Sequence, residues 1–164
     1  MKKFFISVLV ISFAFCVFTA VLTAEEQMPP AEAQALWTYI TETNSYTDWK
    51  MWPGKEGMYP GTSPHGAFLK VYVNEEAYQA AKEGKPMPNG AIIVKENYGE
   101  DKEKLMALTP MYKVEGYNPD AGDWFWAKYG GGDPPTGEVM AAGKVEGCIN
   151  CHKTQENFLF TDKE

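Results

Sequence analysis

The chain has 164 residues with 22 carboxylates, 15 Lys and no Arg, for a formal charge of −7 at neutral pH. So acidic a chain argues against nucleic acid as a partner and suits docking to a basic patch on another protein. Its 11 Pro and 15 Gly argue against four long packed helices, and its length fits one domain around one core.

Lys2 and Lys3 precede an uncharged apolar run over residues 4–22, and Thr23-Ala24 before Glu25-Glu26 makes a cleavage point. Residues 1–24 are therefore expected to be a signal peptide and the protein to be periplasmic or secreted; an uncleaved membrane anchor is the alternative. Cleavage removes Cys16 and both lysines, leaving residues 25–164 as one domain with a formal charge of −9.

Pro29 and Pro30 open a helix expected over 31–43, with Leu36, Trp37 and Ile40 on one face. A loop rich in Trp, Gly and Pro follows over 46–64, then a strand over 67–73 and a helix over Glu75–Glu83 capped by Asn74. A second strand is expected over 91–97 and a short helical turn over 101–108. Residues 110–117 and 123–129 read as a hairpin around Asn118-Pro119-Asp120-Ala121-Gly122, and 130–147 as a loose stretch before a last helix. The fold class expected is α+β, mainly antiparallel sheet with flanking helices and a C-terminal helix that carries the cofactor.

That last helix holds Cys148, Ile149, Asn150, Cys151 and His152, the CxxCH spacing by which two thiols form thioethers with haem vinyl groups and the next imidazole reaches the iron. A zinc site wants four Cys or His ligands, and outside the leader only His65 adds to these three. A thioredoxin-like redox pair would sit between a strand and a helix of an α/β pattern, which is not the setting here. One haem c is the cofactor expected, with His152 on its iron. No Met or His follows His152, so a sixth ligand must come from earlier: from His65 or from Met28, Met51, Met58, Met87, Met106, Met111 or Met140. An open distal site is the leading expectation, and open iron means chemistry on small ligands.

Five segments then carry a likeness. Trp49-Lys-Met-Trp-Pro53, PHGAFLKVYVN over 64–74, MPNGAIIVKENY over 87–98, GYNPDAGDWFWAKYG over 116–130 and GCINCHK over 147–153 together resemble the cytochrome P-460 family, including its β-sheet relatives the cytochromes c-prime-beta. The resemblance implies a β-rich, homodimeric protein with five-coordinate haem and a proximal His152. It also implies one of two chemistries. The P-460 enzymes oxidise hydroxylamine and carry a Lys–porphyrin cross-link, whereas the c-prime-beta proteins lack that bond and bind nitric oxide in an apolar pocket.

Under this likeness Lys70 is the candidate cross-link, on a strand face with Phe68 and Tyr72, and Lys95 is the alternative. Hydroxylamine oxidation needs a base near the iron, for which Glu96, Glu115, Glu138 and Glu146 are the conceivable sources, with Ala141 or Ala142 standing in its place if there is none. Phe68, Trp124, Phe125 and Trp126 are candidates to wall the haem, although strand alternation must send Phe125 away from its two Trp neighbours. The function expected first is hydroxylamine oxidation, with or without nitric oxide binding, and electron transfer to a redox partner cytochrome. Gas binding without turnover, or plain electron transfer with a sixth protein ligand, are the alternatives.

Overall fold

The computed structural model describes residues 27–160. The expected signal segment and the start of the mature domain lie outside them. Seven strands form one antiparallel sheet: β1 (Lys50–Met51), β2 (Tyr59–Pro60), β3 (Phe68–Val73), β4 (Ile92–Tyr98), β5 (Leu105–Lys113), β6 (Trp124–Gly130) and β7 (Val139–Gly143). The order is β1-β3-β4-β5-β6-β7, with β2 also paired to β3. Among the described residues three α-helices accompany it: α1 (Ala33–Thr38), α2 (Glu75–Glu83) and α3 (Glu146–His152). The fold is thus α+β and mostly sheet, as expected.

Both faces of the sheet are covered, which explains why β4 begins with the unbroken apolar run Ile92-Ile93-Val94 rather than an alternation. Ile92 and Val94 join Leu36, Ile40, Tyr46, Leu108, Phe125 and Tyr129 in a core on the α1 side. Ile93 joins Val71, Val73, Ala77, Met111, Trp124 and Trp126 in a core on the other side, with Cys148 and Ile149 of α3 packed against it. As period two requires, Phe125 faces one core and its two Trp neighbours the other.

The helix expected over 31–43 forms, but its second half, Tyr39–Thr43, widens into a π turn. The helical turn expected over 101–108 is corrected. Asp101 accepts from the amides of Glu103 and Lys104, each at 3.0 Å, and Lys102 takes φ 62°, so the charged residues close a hairpin and Leu105 enters β5 directly. Helical propensity there yields to pairing with β4 and β6 on either side. The stretch over 130–147 is also not wholly loose: β7 lies along β6, unrecognised because an edge strand buried on neither face shows no alternation.

Asn74 does more than cap α2. Its Oδ1 accepts from Ala77 N at 3.2 Å and Ile92 N at 2.9 Å, and its Nδ2 donates to Gly90 O at 2.9 Å, tying α2 to the start of β4. The side chain is buried, so water cannot replace these partners. Asn74→Ala is expected to lower the unfolding free energy by about 2–4 kcal/mol, measured as a lower denaturant midpoint at unchanged m-value.

Candidate functional site

A cavity of about 570 Å³ opens between the sheet and α3, inside the range of about 300–1,000 Å³ typical of cofactor sites. Cys148, Cys151 and His152 line one wall, together with Leu159 and Phe160 from the segment beyond α3. The sheet supplies Tyr59, Val71, Ile93, Lys95, Asn97, Thr109, Met111, Trp126 and Lys128, and the loops before β3 supply Trp52 and His65.

α3 is a short helix in which the i, i+3 spacing sets Cys148 and Cys151 on one side, both unbonded thiols, with His152 buried next to them. His152 Nδ1 lies 2.8 Å from Phe158 O. A carbonyl only accepts, so Nδ1 carries the proton and Nε2 keeps its lone pair, the form a metal requires. The accepting carbonyl is held by a tight turn in which Asn157 (φ 55°) and Phe158 (φ 63°) are both left-handed. Trp124 Nε1 donates to Asn157 O at 3.3 Å and secures that turn from the sheet. Trp126 at 4.7 Å and Phe160 at 5.0 Å set their rings against the imidazole. Burial holds the His152 pKa below its usual value, opposed by the bond to Phe158 and assisted by the Lys95 charge. Trp126 Nε1 is a buried donor without a partner among the described residues.

His65 stands in the same cavity, its ring centre 6.2 Å from that of His152 and nearly perpendicular to it. Asn97 fixes it. The Asn97 amide nitrogen donates to Lys95 O and Ala107 O, both at 3.1 Å, and to Thr109 Oγ1 at 3.0 Å, so its oxygen must be the atom 2.9 Å from His65 Nδ1. His65 is therefore also protonated on Nδ1. Burial first, then the Lys95 charge, hold its pKa down at about 4, against the bond to Asn97. Gly66 allows the close approach, since a Cβ there would lie 2.5 Å from Tyr98 O.

Lys70 is not at this site, which corrects the expectation that it reaches the cofactor. It lies on the opposite side of the sheet, with Nζ 3.9 Å from Glu96 Oε2 and 3.5 Å from Tyr98 Oη. Its neighbour Val71, which lines the cavity, pairs in register with Lys95, so Lys95 is the strand lysine on the cavity side. Glu96 is excluded as a cavity base for the same reason. It is buried behind the sheet, accepting from Tyr46 Oη at 2.9 Å and Tyr98 Oη at 2.8 Å, and burial together with its charge pushes both phenols well up. Glu115, Glu138 and Glu146 are also absent from the lining, and among the described residues no carboxylate lines the cavity. Ala141 does; Ala142 does not. Of the four aromatic candidates only Trp126 lines the wall. Phe68 lies under the Lys102 ammonium at 4.4 Å, and Trp124 acts one layer out through Asn157.

Reasoning from sequence alone missed Asn97, Thr109, Lys128 and the supporting role of Trp124. Asn97 had left a signal, because Asn is disfavoured in strands and inside a buried one needs partners.

Residues 43–161 match the description Cytochrome P460. The chain belongs to the cytochrome P460 family. No curated protein matches it. Family membership makes it a c-type cytochrome and implies haem c, and the cavity fits that group: two thiols and a neutral imidazole with a free Nε2 share one wall, and the floor is a sheet face of apolar and donor side chains. Among the described residues no group of three or more His, Cys, Asp or Glu gathers as a metal cage would require.

The placement of Glu96 can be checked in this cytochrome. Glu96→Leu orphans the buried Tyr46 phenol and the half-buried Tyr98 phenol and should lower the unfolding free energy by about 2–4 kcal/mol, seen by denaturant titration, with the haem absorption spectrum unmoved. A shifted spectrum would put Glu96 at the cavity after all.

Proposed function

We propose that this protein is an exported monohaem cytochrome whose haem c is joined through Cys148 and Cys151, with His152 as proximal ligand and a distal face open to nitric oxide. The observation that carries the reading is the cavity wall itself. His152, with its proton on Nδ1, lines a space floored by Val71, Ile93, Met111 and Trp126, with no carboxylate lining it among the described residues. When bound, haem supplies an iron that takes a small neutral ligand. The protein holds the imidazole in one tautomer, keeps water from much of the wall and, among the described residues, offers no acidic side chain to remove protons there. Ligand capture therefore ranks above turnover.

Hydroxylamine oxidation is the second reading, and Lys95 favours it. Lys95 stands on the cavity side of the central strand, where a Lys–porphyrin bond would have to form. Electrons from such turnover would pass to a redox partner cytochrome with a basic docking patch, suited to the acidic chain. A homodimer belongs to the same proposal: Val139 on the edge strand β7 is an exposed apolar group, clear of the cavity lining, that a second copy would cover.

Three measurements test these readings. The ferric protein is expected to be high-spin without added ligand, and the reduced protein to bind one nitric oxide per haem by absorption titration; a low-spin resting signal would make His65 a sixth ligand and the protein an electron carrier. Lys95→Ala is expected to leave the absorption spectrum unchanged, and the mass of the haem peptide to show no further bond. Loss of a red-shifted band in that variant, together with acceptor-dependent hydroxylamine consumption by the unmodified protein, would move the second reading to first place.

A further inference from the structure

The charged groups that line the cavity share one sign. The chain carries 22 carboxylates, yet among the described residues the cavity wall includes Lys55, Lys95 and Lys128 and no Asp or Glu. Two of these lysines are placed in order across the sheet. Lys95 on β4 pairs in register with Thr109 on β5. On the far side of β5, the pairs Leu108–Tyr129 and Met111–Trp126 bracket Thr109 and Lys128. Lys95, Thr109 and Lys128 thus form a row over three neighbouring strands, and all three line the cavity. With strands spaced about 4.8 Å apart, the two lysine backbones stand roughly 10 Å from one another. Ammonium groups on flexible stems can close on one small ion from that separation, with the threonine hydroxyl between them. Among the described residues Lys128 has no ion pair.

We propose that the row Lys95–Thr109–Lys128 is a binding site for a planar oxyanion of single charge, either free nitrite or the carboxylate of a haem propionate. The inference rests on the haem reading above and adds the class of ligand that the cavity selects. Arg is missing from the chain, so lysines must supply whatever cationic partner a propionate finds. A wall lined by lysines, with no carboxylate lining it among the described residues, attracts an anion, whereas a cation such as hydroxylammonium is repelled. The field of the row reaches the neighbouring groups: Lys95 acts on both His65 and His152, and Lys128 on His65 and Cys148.

The test uses ferric holoprotein titrated with sodium nitrite, and separately with neutral imidazole, followed by absorption at low and raised ionic strength. Lys128→Gln is the variant, and Lys85→Gln, at an exposed lysine paired with Glu83, is the control. If nitrite is the occupant, its dissociation constant rises about three- to tenfold in Lys128→Gln, and with salt in the unmodified protein, while imidazole affinity and the control stay within about twofold. If a propionate is the occupant, nitrite affinity is indifferent to Lys128 but the midpoint potential of Lys128→Gln falls, because an unneutralised carboxylate stabilises ferric iron. Nitrite affinity and potential both unchanged in the variant overturn the proposal. Nitric oxide binding by the reduced protein is read in parallel, so failure of the open-iron reading shows there, independently of Lys128.

Discussion

The alternation of β4 between two covered faces is the constraint on which this molecule depends. Lys95, Glu96 and Asn97 are consecutive polar residues in a strand flanked on both sides, and none of them can turn to water without breaking the ladder. Each is sent to one face by its parity. Glu96 goes to the α1 side, where two phenols satisfy it; Lys95 and Asn97 go to the cavity. A slip of one residue would exchange them, placing a carboxylate in the cavity and a lysine among tyrosines. The register with β3 and β5 is in this sense a choice of chemistry as well as of packing.

Support for His152 is layered in the same way. It sits on a helix of only seven residues, too short to fix an imidazole by itself. The imidazole is fixed instead by Phe158 O, whose turn needs two left-handed residues and is tied to β6 by Trp124. Left-handed φ at a bulky residue such as Phe158 is costly and persists only where its surroundings hold it. The expense is met by packing Phe158 and Leu159 against the core that contains Trp124, Trp126 and Met111. The haem helix is therefore an outlying piece of the sheet core, oriented by the strand that also supplies Trp126 and Lys128 to the cavity.

These two arrangements together favour a ligand-binding cytochrome over an acid–base catalyst. A base must touch the reacting atoms or reach them through one water. The buried carboxylate nearest in sequence, Glu96, is separated from the cavity by the backbone of its own strand. The imidazole of His65 is neutral and committed to Asn97 through Nδ1. Among the described residues, what remains at the wall is apolar surface with cationic donors, which is the ground for proposing ligand capture rather than proton removal.

Much of this was legible in the amino-acid order. CxxCH pointed to haem c, the cofactor that the family implies, because the contacts such a motif makes are set by local spacing on one helical turn, and the α+β class follows from alternation and turn chemistry at Asn74, Asn118 and Gly122. The family likeness was legible for the same reason, since it rests on contiguous words. Lys70 against Lys95 was not. Both are strand lysines of opposite parity, and parity selects a side only after one knows which face of the sheet the distant segment 146–160 covers. That choice, like the binding of His65 by Asn97 and the row formed with Lys128, belongs to contacts between residues far apart in the chain, and only the tertiary structure decided it.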